Sequence, residues 1–377
     1  MPDKKIKITY ILFQLNKALA FEWIVDHINH EKFELSFISI YVNENSFFEN
    51  FCKERSIEFH RIEYSSKKSI PAAIFQTYKI LRKIKPDAVH CHIFEANIIG
   101  LTAAYLAGIK NRIFTRHHAS FHHITAPSGL KYDKYCNKIA THIIAISENV
   151  KHILIQLENV PSEKITLIHH GFDLPLFYNI SEERLSIVEK KYNPTNKHPV
   201  IGLVSRYTKW KGLKYAIEAF SKFLNDYPNA LLILANAKGE ASDVAIVKNY
   251  LNNLPNDSFT EIEFENDNGA LFKLFDVFVH VPVDKNSEAF GQTYIEALAV
   301  GVPSVFTLSG VACEFIENGK NALVVDYQNS EQIYEALKRI LSDKALDYQL
   351  FINGRKDIEK YFSLPLFIHK LEQIYSL

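Results

Sequence analysis

The stretch Ser287–Phe306 reads SEAFGQTYIEALAVGVPSVF, and its spacing predicts a loop, a short helix and a strand. The helix is expected over Thr293–Val300, because Gly301 stops it and a proline then leads into the strand. Glu288 precedes the helix and Glu296 lies within it. Backbone N–H groups of a first helical turn have no helical partner, so anion-binding amides lie beside two carboxylates that accept from hydroxyls. A diphosphate between a sugar and a ribose fits these groups, which points to a nucleotide-sugar.

On either side of this stretch, short apolar runs alternate with amphipathic segments, as in parallel sheets with crossover helices. Strands are predicted at Ile6–Phe13, Leu35–Tyr41, Ile57–Ile62, Ala88–Cys91, Arg112–Thr115, His142–Ile146, Ile165–His169, Val200–Ser205, Leu231–Ala235, Ile262–Phe264, Val277–Val281, Ser304–Phe306 and Ala322–Val325. Further helices are predicted at Ala73–Lys83, Ala96–Ala107, Leu213–Leu224, Val244–Leu254, Leu271–Phe275 and Glu331–Leu341.

A polar stretch over residues 181–198 separates the two series of strands. The chain is therefore predicted to be an α/β protein with two Rossmann-like, doubly wound domains facing each other across a cleft. The first domain is expected over residues 1–180 and the second over residues 181–357. The segment 358–377 reads as helical, with a break at Pro365.

Length, charge and cysteine usage narrow the class of protein. A chain of 377 residues suits two domains of roughly 100–200 residues each. Lys plus Arg and Asp plus Glu both number 43, so the protein has no net positive charge that would attract nucleic acid. The four cysteines are scattered, which is typical of reduced thiols in a cytosolic protein. No signal peptide and no apolar run of about 18 residues is found, so a cytoplasmic location is expected.

The block Ser287–Phe306 resembles a signature of the family 4 retaining glycosyltransferases of GT-B fold. That signature is two glutamates separated by seven residues, with Phe-Gly after the first and Glu-Ala at the second. The matching positions are Glu288, Phe290, Gly291, Glu296, Ala297, Gly301 and Pro303. Two solvated glutamates on a glycine-capped helix would be common by chance, but the whole block is not. The resemblance covers most of the chain, strongly from residue 168 to 325 and weakly before it. It also implies that the first domain binds the acceptor, that the second binds the donor, and that the C-terminal helix over residues 358–377 crosses back to the first domain.

A second match, Ser205–Gly212 with the sequence SRYTKWKG, follows the first strand of the second half. It resembles the family's Arg-x4-Lys-Gly element, which implies that Arg206 and Lys211 bind the donor diphosphate. A guanidinium and an ammonium stabilise the charge of a departing diphosphate without a metal. The alternative is a basic turn in water. No Asp-x-Asp occurs, which argues against metal-dependent GT-A enzymes, and neither a metal nor a cofactor is expected.

The resemblance also assigns roles around the donor. Glu296 would accept from the ribose hydroxyls and Glu288 from a sugar hydroxyl. Backbone amides at Phe290, Gly291 and Gln292 would contact the sugar and the phosphate. The base would lie against the predicted strand end Glu261–Phe264, where Phe264 is the candidate residue.

Histidines cluster after two strands of the first half. A metal site is a minority interpretation, because no carboxylate or cysteine completes a recognisable ligand spacing. The resemblance instead places the cleft histidine at His117, a catalytic candidate, with His118 as an alternative in register, and it matches His92 to the acceptor side. A structural or solvated role is favoured for the rest, His90, His122 and His123.

The loop Gln14–Phe21 departs from the family pattern, because it holds no glycine where members usually carry a glycine-rich loop. Side chains there would crowd a close backbone contact, although Asn16 and Lys17 could contact an acceptor. His169–Asp173 resembles the family's Asn-Gly-x-Asp turn, with His in place of Asn, and is expected to join the domains.

These observations together predict a metal-independent, retaining transferase that moves a sugar from a nucleoside-diphosphate-sugar to a saccharide, lipid-linked or protein-linked acceptor. Bacterial polysaccharide or glycolipid assembly is the expected setting. Two alternatives stay open: a nucleotide-sugar epimerase of the same fold, and a non-catalytic nucleotide-sugar-binding subunit. The basic segment Lys67–Lys85 could make weak peripheral contact with the inner face of a membrane, but a surface helix with solvated lysines is favoured.

Overall fold

A computed structural model describes residues 4–14, 16–40 and 46–377. The chain divides into two compact units, which are described separately below. Unit 1 comprises the chain up to Phe172 together with Leu364–Leu377, and unit 2 comprises Asp173–Ser363. The predicted border at residue 180 differs from this division, since residues 173–180 belong to unit 2.

Unit 1 is built on a seven-stranded parallel sheet in the order β3-β2-β1-β4-β5-β6-β7. The order reverses at β1, where β2 lies on one side and β4 on the other, as in a doubly wound sheet. Its strands are β1 (Ile6–Phe13), β2 (Phe33–Ile40), β3 (Glu58–Ile62), β4 (Ala88–His92), β5 (Asn111–Arg116), β6 (His142–Ala145) and β7 (Ile165–Leu167). Its first helices are α1 (Leu19–His27), α2 (Phe47–Glu54), α3 (Ile70–Ile84), α4 (Phe94–Leu106), α5 (Phe121–Ile124), α6 (Leu130–Ile139) and α7 (Glu148–Gln156).

Unit 2 repeats this plan with six parallel strands in the order β10-β9-β8-β11-β12-β13. Its helices are α8 (Pro175–Tyr178), α9 (Glu182–Tyr192), α10 (Leu213–Phe223), α11 (Ala241–Leu251), α12 (Asn268–Lys273), α13 (Gln292–Val300), α14 (Ala312–Phe315), α15 (Ser330–Ser342) and α16 (Lys344–Phe362). Its strands are β8 (Val200–Val204), β9 (Leu231–Ala235), β10 (Phe259–Ile262), β11 (Val277–His280), β12 (Ser304–Phe306) and β13 (Leu323–Val324). The predicted fold class of two Rossmann-like α/β domains is confirmed.

One local prediction was wrong. The strand expected at Ile262–Phe264 ends at Ile262, because β10 pairs with β9 in the register Phe259↔Leu232 to Ile262↔Ala235. The polar stretch 181–198 lies between the strands β7 and β8, as expected, and it contains helix α9, which the sequence did not predict. Ser181 caps this helix by accepting from the Arg184 N–H at 3.3 Å. Tyr41, predicted to end the second strand, lies outside the described residues.

The final helix α17 (Leu364–Tyr375) belongs to unit 1. Its apolar side chains Leu364, Ile368, Leu371, Ile374 and Tyr375 are buried in the core of that unit. The helical break lies at Ser363, and Pro365 is in the first turn of α17, where a missing N–H costs nothing. Within the described part of the chain, no helix has both the length and the apolar character needed to cross a bilayer.

Candidate functional site

The carboxyl ends of three strands of unit 2 bring polar side chains to Glu288. Lys211 lies in a 3-10 turn after β8, His280 ends β11, and Ser309 follows β12. The Lys211 ammonium donates to the Glu288 carboxylate, and His280 Nε2 lies 2.9 Å from the same oxygen, Oε1. The Glu288 N–H donates to Ser309 Oγ at 3.0 Å. Two side chains from different strand ends, Lys211 and His280, therefore meet at one buried carboxylate, and Ser309 holds the backbone of the same residue.

Glu288 is ionised at neutral pH because of these neighbours. Burial by itself would raise the pKa of Glu288, but the Lys211 charge and the His280 hydrogen bond outweigh it and lower the pKa to about 2. Burial also lowers the pKa of His280, so a neutral His280 donates its Nε2–H to the carboxylate. His280 was not predicted from the sequence, because the strand sequence VFVH is typical of a buried strand and carries no motif.

The turn that carries Lys211 is held against the end of β11. Gly212 has φ +71°, and a Cβ atom there would overlap the carbonyl oxygen of Val281. The N–H of Val283 donates to the Trp210 carbonyl at 3.0 Å. Only glycine fits this close approach of two backbones, which explains the glycine that ends the motif. The Lys211 ammonium also lies 4.4 Å from the centre of the Trp210 ring.

Arg206, the other cation of the motif, lies apart from this cluster. Its side chain is exposed, and no hydrogen bond or ion pair reaches its guanidinium from the residues that the structure describes. Tyr207 beside it is buried and donates to Glu261 Oε1 at 2.6 Å. Arg206 is thus open to an anionic ligand, whereas Lys211 is already paired with Glu288.

Helix α13 begins shortly after Glu288. Gly291 precedes it with φ +92°, and a Cβ there would overlap the Tyr294 ring. Gln292, the first helical residue, is exposed. The Phe290 ring is buried edge-on against Phe362, with 5.9 Å between ring centres. The Phe290 side chain therefore anchors the loop in the core, and at this residue only backbone groups can face a ligand.

Glu296, in the second turn of α13, differs from Glu288. It is half-buried, and burial raises the pKa of its carboxyl to about 7. Within residues 4–14, 16–40 and 46–377, nothing is hydrogen-bonded or ion-paired to this carboxyl. At neutral pH it exchanges between charged and protonated forms, so it suits a ligand that brings hydroxyl donors.

Phe264 lies two residues beyond the end of β10 and is 63% exposed. Glu261, on the strand itself, is bound by Tyr207 and by the Lys248 ammonium. Phe264 therefore offers an exposed aromatic face near this strand end, of the kind that a planar base stacks on.

In unit 1, His92 at the end of β4 meets His117, which follows β5. His92 Nδ1 and His117 Nε2 are 3.0 Å apart, and the His117 ring stacks on His170 with 5.6 Å between centres. Burial, followed by the neighbouring imidazoles, holds the pKa of both His92 and His117 well below the usual value. Both rings are thus neutral at pH 7. By contrast, both nitrogens of His90 are used, by Tyr375 Oη at 2.6 Å and Thr115 Oγ1 at 2.8 Å.

The remaining histidines join a buried charge cluster. His118 Nε2, His122 Nδ1 and Asp133 Oδ2 all lie within 4.8 Å of one another, as metal ligands would. Arg116, which is 1% exposed, approaches the same Asp133 oxygen at 3.1 Å and Glu158 Oε1 at 2.5 Å. A guanidinium at this oxygen disfavours a second cation. Because Asp133 comes from α6, the sequence pattern of the histidines did not reveal this carboxylate.

The loop after β1 contains no glycine, yet one of its residues adopts a backbone conformation that glycine usually occupies. Gln14 adopts φ +52°, the left-handed region that glycine usually occupies. The Asn16 carbonyl accepts from the Phe48 N–H at 2.9 Å and from Ser46 Oγ at 3.1 Å, which ties the loop to the start of α2. Lys17 is exposed, and Leu15 lies outside the described residues.

Two known protein families match the chain, one in each half. The family described as Glycosyltransferase Family 4 matches residues 38–175, and Glycosyl transferases group 1 matches residues 187–357. The second match includes Lys211, Glu288 and Glu296.

Named relatives and a solved structure agree with these matches. The chain is 28% identical over 305 residues to the capsular polysaccharide biosynthesis glycosyltransferase CapM of Staphylococcus aureus, covering 79% of this chain and 78% of CapM. It is 25% identical over 314 residues to the UDP-Gal:alpha-D-GlcNAc-diphosphoundecaprenol alpha-1,3-galactosyltransferase of Escherichia coli, covering 80% and 78%. The fold of Anabaena Alr3699/HepE, solved with UDP and glucose, matches with a TM-score of 0.83 at 19% identity over 99% of this chain and 100% of that one. The chain is therefore a glycosyltransferase of the two-domain GT-B fold.

Proposed function

We propose that this glycosyltransferase takes a sugar from a nucleoside-diphosphate-sugar and transfers it, with retention at the anomeric carbon, to an acceptor hydroxyl without a metal ion. Unit 2 holds the donor and unit 1 holds the acceptor. The observation that carries the proposal is the pair of unlike carboxylates around α13, with Glu288 ionised and bound to Lys211 and Glu296 open to a ligand.

The donor would use the carboxyl edge of the unit 2 sheet. Arg206 and Lys211 supply positive charge for the diphosphate, and the first-turn amides of α13 add donors for the same group. Glu296 accepts from the ribose, Glu288 accepts from a sugar hydroxyl, and the base covers Phe264. As the bond from the anomeric carbon to phosphate breaks, charge grows on the diphosphate, and fixed cations stabilise this charge more than that of the intact donor.

The acceptor would attack from the face that the phosphate leaves. The acceptor oxygen bonds to the anomeric carbon as the bond to phosphate breaks, and the acceptor proton passes to the departing phosphate oxygen. Because the acceptor enters on the face that the phosphate leaves, the configuration at the anomeric carbon is retained. No nucleophile from the protein is needed. The neutral His117, fixed by His92, would contribute a single uncharged hydrogen bond to a sugar hydroxyl. Asn16 and Lys17 remain the acceptor-side proposals.

Related proteins support the setting. CapM is named for capsular polysaccharide biosynthesis, and the E. coli relative for transfer to a lipid diphosphate-linked sugar. HepE was solved with UDP and glucose. We therefore propose cytoplasmic assembly of a polysaccharide or glycolipid, with a saccharide, lipid-linked or protein-linked acceptor.

The test combines ligand screening with transfer. A thermal-shift screen of nucleoside diphosphates should find one that stabilises the protein, by about 2.7 kcal/mol at 100 times its dissociation constant. The corresponding labelled donor should then yield an α- or β-glycoside of unchanged configuration by NMR, with and without EDTA. Arg206→Ala should lose about 2–4 kcal/mol of transition-state stabilisation, while Lys209→Ala, in the same turn, should not.

Other outcomes would contradict the proposal in distinct ways. A product with the inverted anomeric configuration would exclude a retaining mechanism. Loss of activity in EDTA, restored by Mg²⁺ or Mn²⁺, would exclude the metal-free mechanism. Isomerised donor without any acceptor would identify an epimerase. Tight donor binding with neither transfer nor hydrolysis would identify a non-catalytic subunit.

A further inference from the structure

The connection from strand β4 to helix α4 in unit 1 consists of a single residue, Ile93. Strand β4 ends at His92 and helix α4 begins at Phe94. Ile93 has φ +74° and ψ +152°. This combination of angles is populated essentially by glycine alone, because a Cβ atom crowds the neighbouring backbone there. A β-branched residue such as isoleucine is especially ill suited to it, so the backbone of Ile93 is strained.

The other non-glycine residues with positive φ are of a different kind. Among the residues that the structure describes, all of them are polar, and their φ values of +51° to +61° are close to that of a left-handed helix. They are Gln14, Ser56, Lys85, Asn159, Asn196, Asn236 and Gln328. Ile93 therefore differs from them both in its backbone conformation and in its apolar side chain.

Both elements beside Ile93 are fixed in the core of unit 1. Strand β4 is buried over its whole length and pairs with β1 and β5. Helix α4 packs directly on it, since a Cβ atom at Gly100 would lie 2.5 Å from Cys91 Sγ. The Asn97 side-chain amide, oriented with its nitrogen towards the turn, donates to the carbonyls of Cys91 at 3.3 Å and Ile93 at 3.2 Å. The turn therefore cannot relax, and glycine would fit the same geometry without strain.

The side chain of Ile93 is 44% exposed, so core packing offsets little of this strain. A strained turn from strand to helix is also the device that presents the nucleophile of α/β-hydrolases above the end of a sheet. In this protein the turn presents an apolar group instead. Ile93 directly follows His92, whose Nδ1 lies 3.0 Å from His117 Nε2. An exposed apolar side chain is thus held at the carboxyl end of β4, next to the histidine pair of the proposed acceptor side.

We propose that Ile93 is a specificity-determining residue for the acceptor, whose side chain packs on the apolar C–H face of the acceptor saccharide. A sugar ring carries hydroxyls at its edge and C–H groups on its faces. A neutral imidazole can bind the edge while Ile93 covers a face. Because the turn is rigid, Ile93 is in position before the acceptor arrives, so little ordering is required on binding. The inference rests on the proposed function and deepens it, since it states which surface of the acceptor is recognised.

The test compares the parent with Ile93→Gly, Ile93→Val and Lys85→Gly. Saturation-transfer NMR measures the affinity of the full chain for methyl glycosides of the common hexoses, deoxyhexoses and N-acetylhexosamines. The glycoside that the parent binds most tightly should bind about tenfold more weakly to Ile93→Gly, because an apolar contact is lost. Ile93→Val keeps that contact and should stay within about twofold. Lys85→Gly, the matched control, removes another exposed side chain with positive φ from unit 1 and should change nothing.

A second measurement separates recognition of the acceptor from a structural role. Glycine relieves the strained backbone, so Ile93→Gly should raise the urea midpoint by about 0.5 M while it weakens glycoside binding. A side chain that only stabilised the fold would lower both on removal. In transfer assays, Ile93→Gly should raise the acceptor KM and change kcat by less than about threefold, as for binding that is equal in the ground state and the transition state.

Several results would overturn the inference. Unchanged glycoside affinity in Ile93→Gly would do so, as would an equal loss of affinity in Lys85→Gly or a lower urea midpoint in Ile93→Gly. Absence of glycoside binding by the parent would overturn it as well. Failure of the proposed function is recognised separately, as absence of nucleoside diphosphate binding and of donor turnover in the parent, because these are proposed to depend on unit 2 and do not involve Ile93.

Discussion

At the scale of single residues, Glu288 and Glu296 show how surroundings decide what a carboxylate can do. Glu288 is bound by a cation and an imidazole, which keep it ionised in spite of burial. Glu296 has burial without such compensation, so its proton affinity rises. Glu288 is therefore already hydrogen-bonded before a ligand binds, whereas a ligand would supply the hydrogen bonds of Glu296.

This difference predicts separate defects for the two variants. Glu296→Ala should weaken the binding of the free nucleoside diphosphate and of the donor alike, by about 10- to 100-fold, because charge-assisted hydrogen bonds to the ribose are lost. Glu288→Ala should keep nucleotide affinity within about threefold and lower kcat, because its partner is the sugar that changes in the transition state. Calorimetric titration beside steady-state kinetics measures both.

Glu335→Ala is the matched control, since Glu335 is an exposed glutamate on a helix of the same unit. If Glu288→Ala abolishes nucleotide binding while Glu296→Ala keeps it, the two roles are exchanged.

The pKa of Glu296 also predicts a pH dependence of stability. Its carboxyl has a pKa near 4.5 when unfolded and about 7 when folded, so the folded protein holds the extra proton between these values. The free energy of unfolding should therefore fall as pH rises through this window, by about 1–3 kcal/mol from this group. Urea unfolding of the parent and of Glu296→Gln, at about pH 5 and about pH 8, isolates the effect. Identical pH slopes in both proteins would contradict the assignment.

The sequence motifs pointed to Lys211, Glu288 and Glu296 because family signatures preserve local spacing. They did not reveal that Lys211 and Glu288 pair, nor that His280 completes the cluster. These contacts join the ends of different strands, and only the sheet order brings them together. The Phe290 ring points into the core for the same reason, since its neighbour Phe362 lies far along the chain.

At the scale of elements, helix α13 is bounded by two glycines that no other residue could replace easily. Gly291 and Gly301 both have positive φ, at +92° and +89°, and a Cβ at either position would overlap an aromatic ring. The start of the helix is therefore fixed by backbone geometry, which also fixes the direction of its first-turn amides.

Gly291→Ala should distort this start. The free energy of unfolding should fall by more than the roughly 1 kcal/mol that a left-handed backbone costs a residue with a Cβ, because this Cβ also overlaps the Tyr294 ring. The affinity for the nucleotide should fall as well. Gly319→Ala is the control, because Gly319 has φ +74° and an added Cβ atom would have nothing within 4 Å. Denaturant unfolding and calorimetry of both variants test this. Equal losses in the two variants would mean that contact with Tyr294 is irrelevant.

Most elements could be predicted because buried parallel strands are continuous apolar runs bounded by turns. Strand β10 was misplaced, since its sequence FTEI is half polar and pairing with β9 sets its limits. Helix α9 was missed because its exposed face is highly charged. Arg184 on that helix forms a bidentate pair with Asp267 at 2.6 and 2.7 Å, a contact between distant segments.

At the scale of the whole molecule, helix α17 completes a unit whose other residues all precede Asp173. The Tyr375 hydroxyl contacts Tyr10 of β1 and His90 of β4, so the helix reaches the centre of the unit 1 sheet. The resemblance could suggest a helix that returns to the first domain, but no local pattern shows where it packs.

Leu371→Ala should therefore lower the stability of unit 1 by about 2–5 kcal/mol, as for other buried leucines, and leave unit 2 unchanged. Hydrogen exchange should accelerate at the amides of β1 and β4 but not at those of β8. Leu377→Ala, at a position 76% exposed, should have no measurable effect. Faster exchange in β8 to the same extent would show that α17 stabilises both units.

The position of α17 also sets an order of events on the ribosome. Unit 1 begins to emerge first, yet its core stays open until residues 364–377 follow, almost two hundred residues after Phe172. At ordinary elongation rates this delay is roughly 10–40 s, during which the apolar groove for α17 is uncovered. Unit 2 is synthesised without interruption, so it can fold before unit 1 does. The proposed donor-binding half would then mature ahead of the acceptor-binding half, which was translated first.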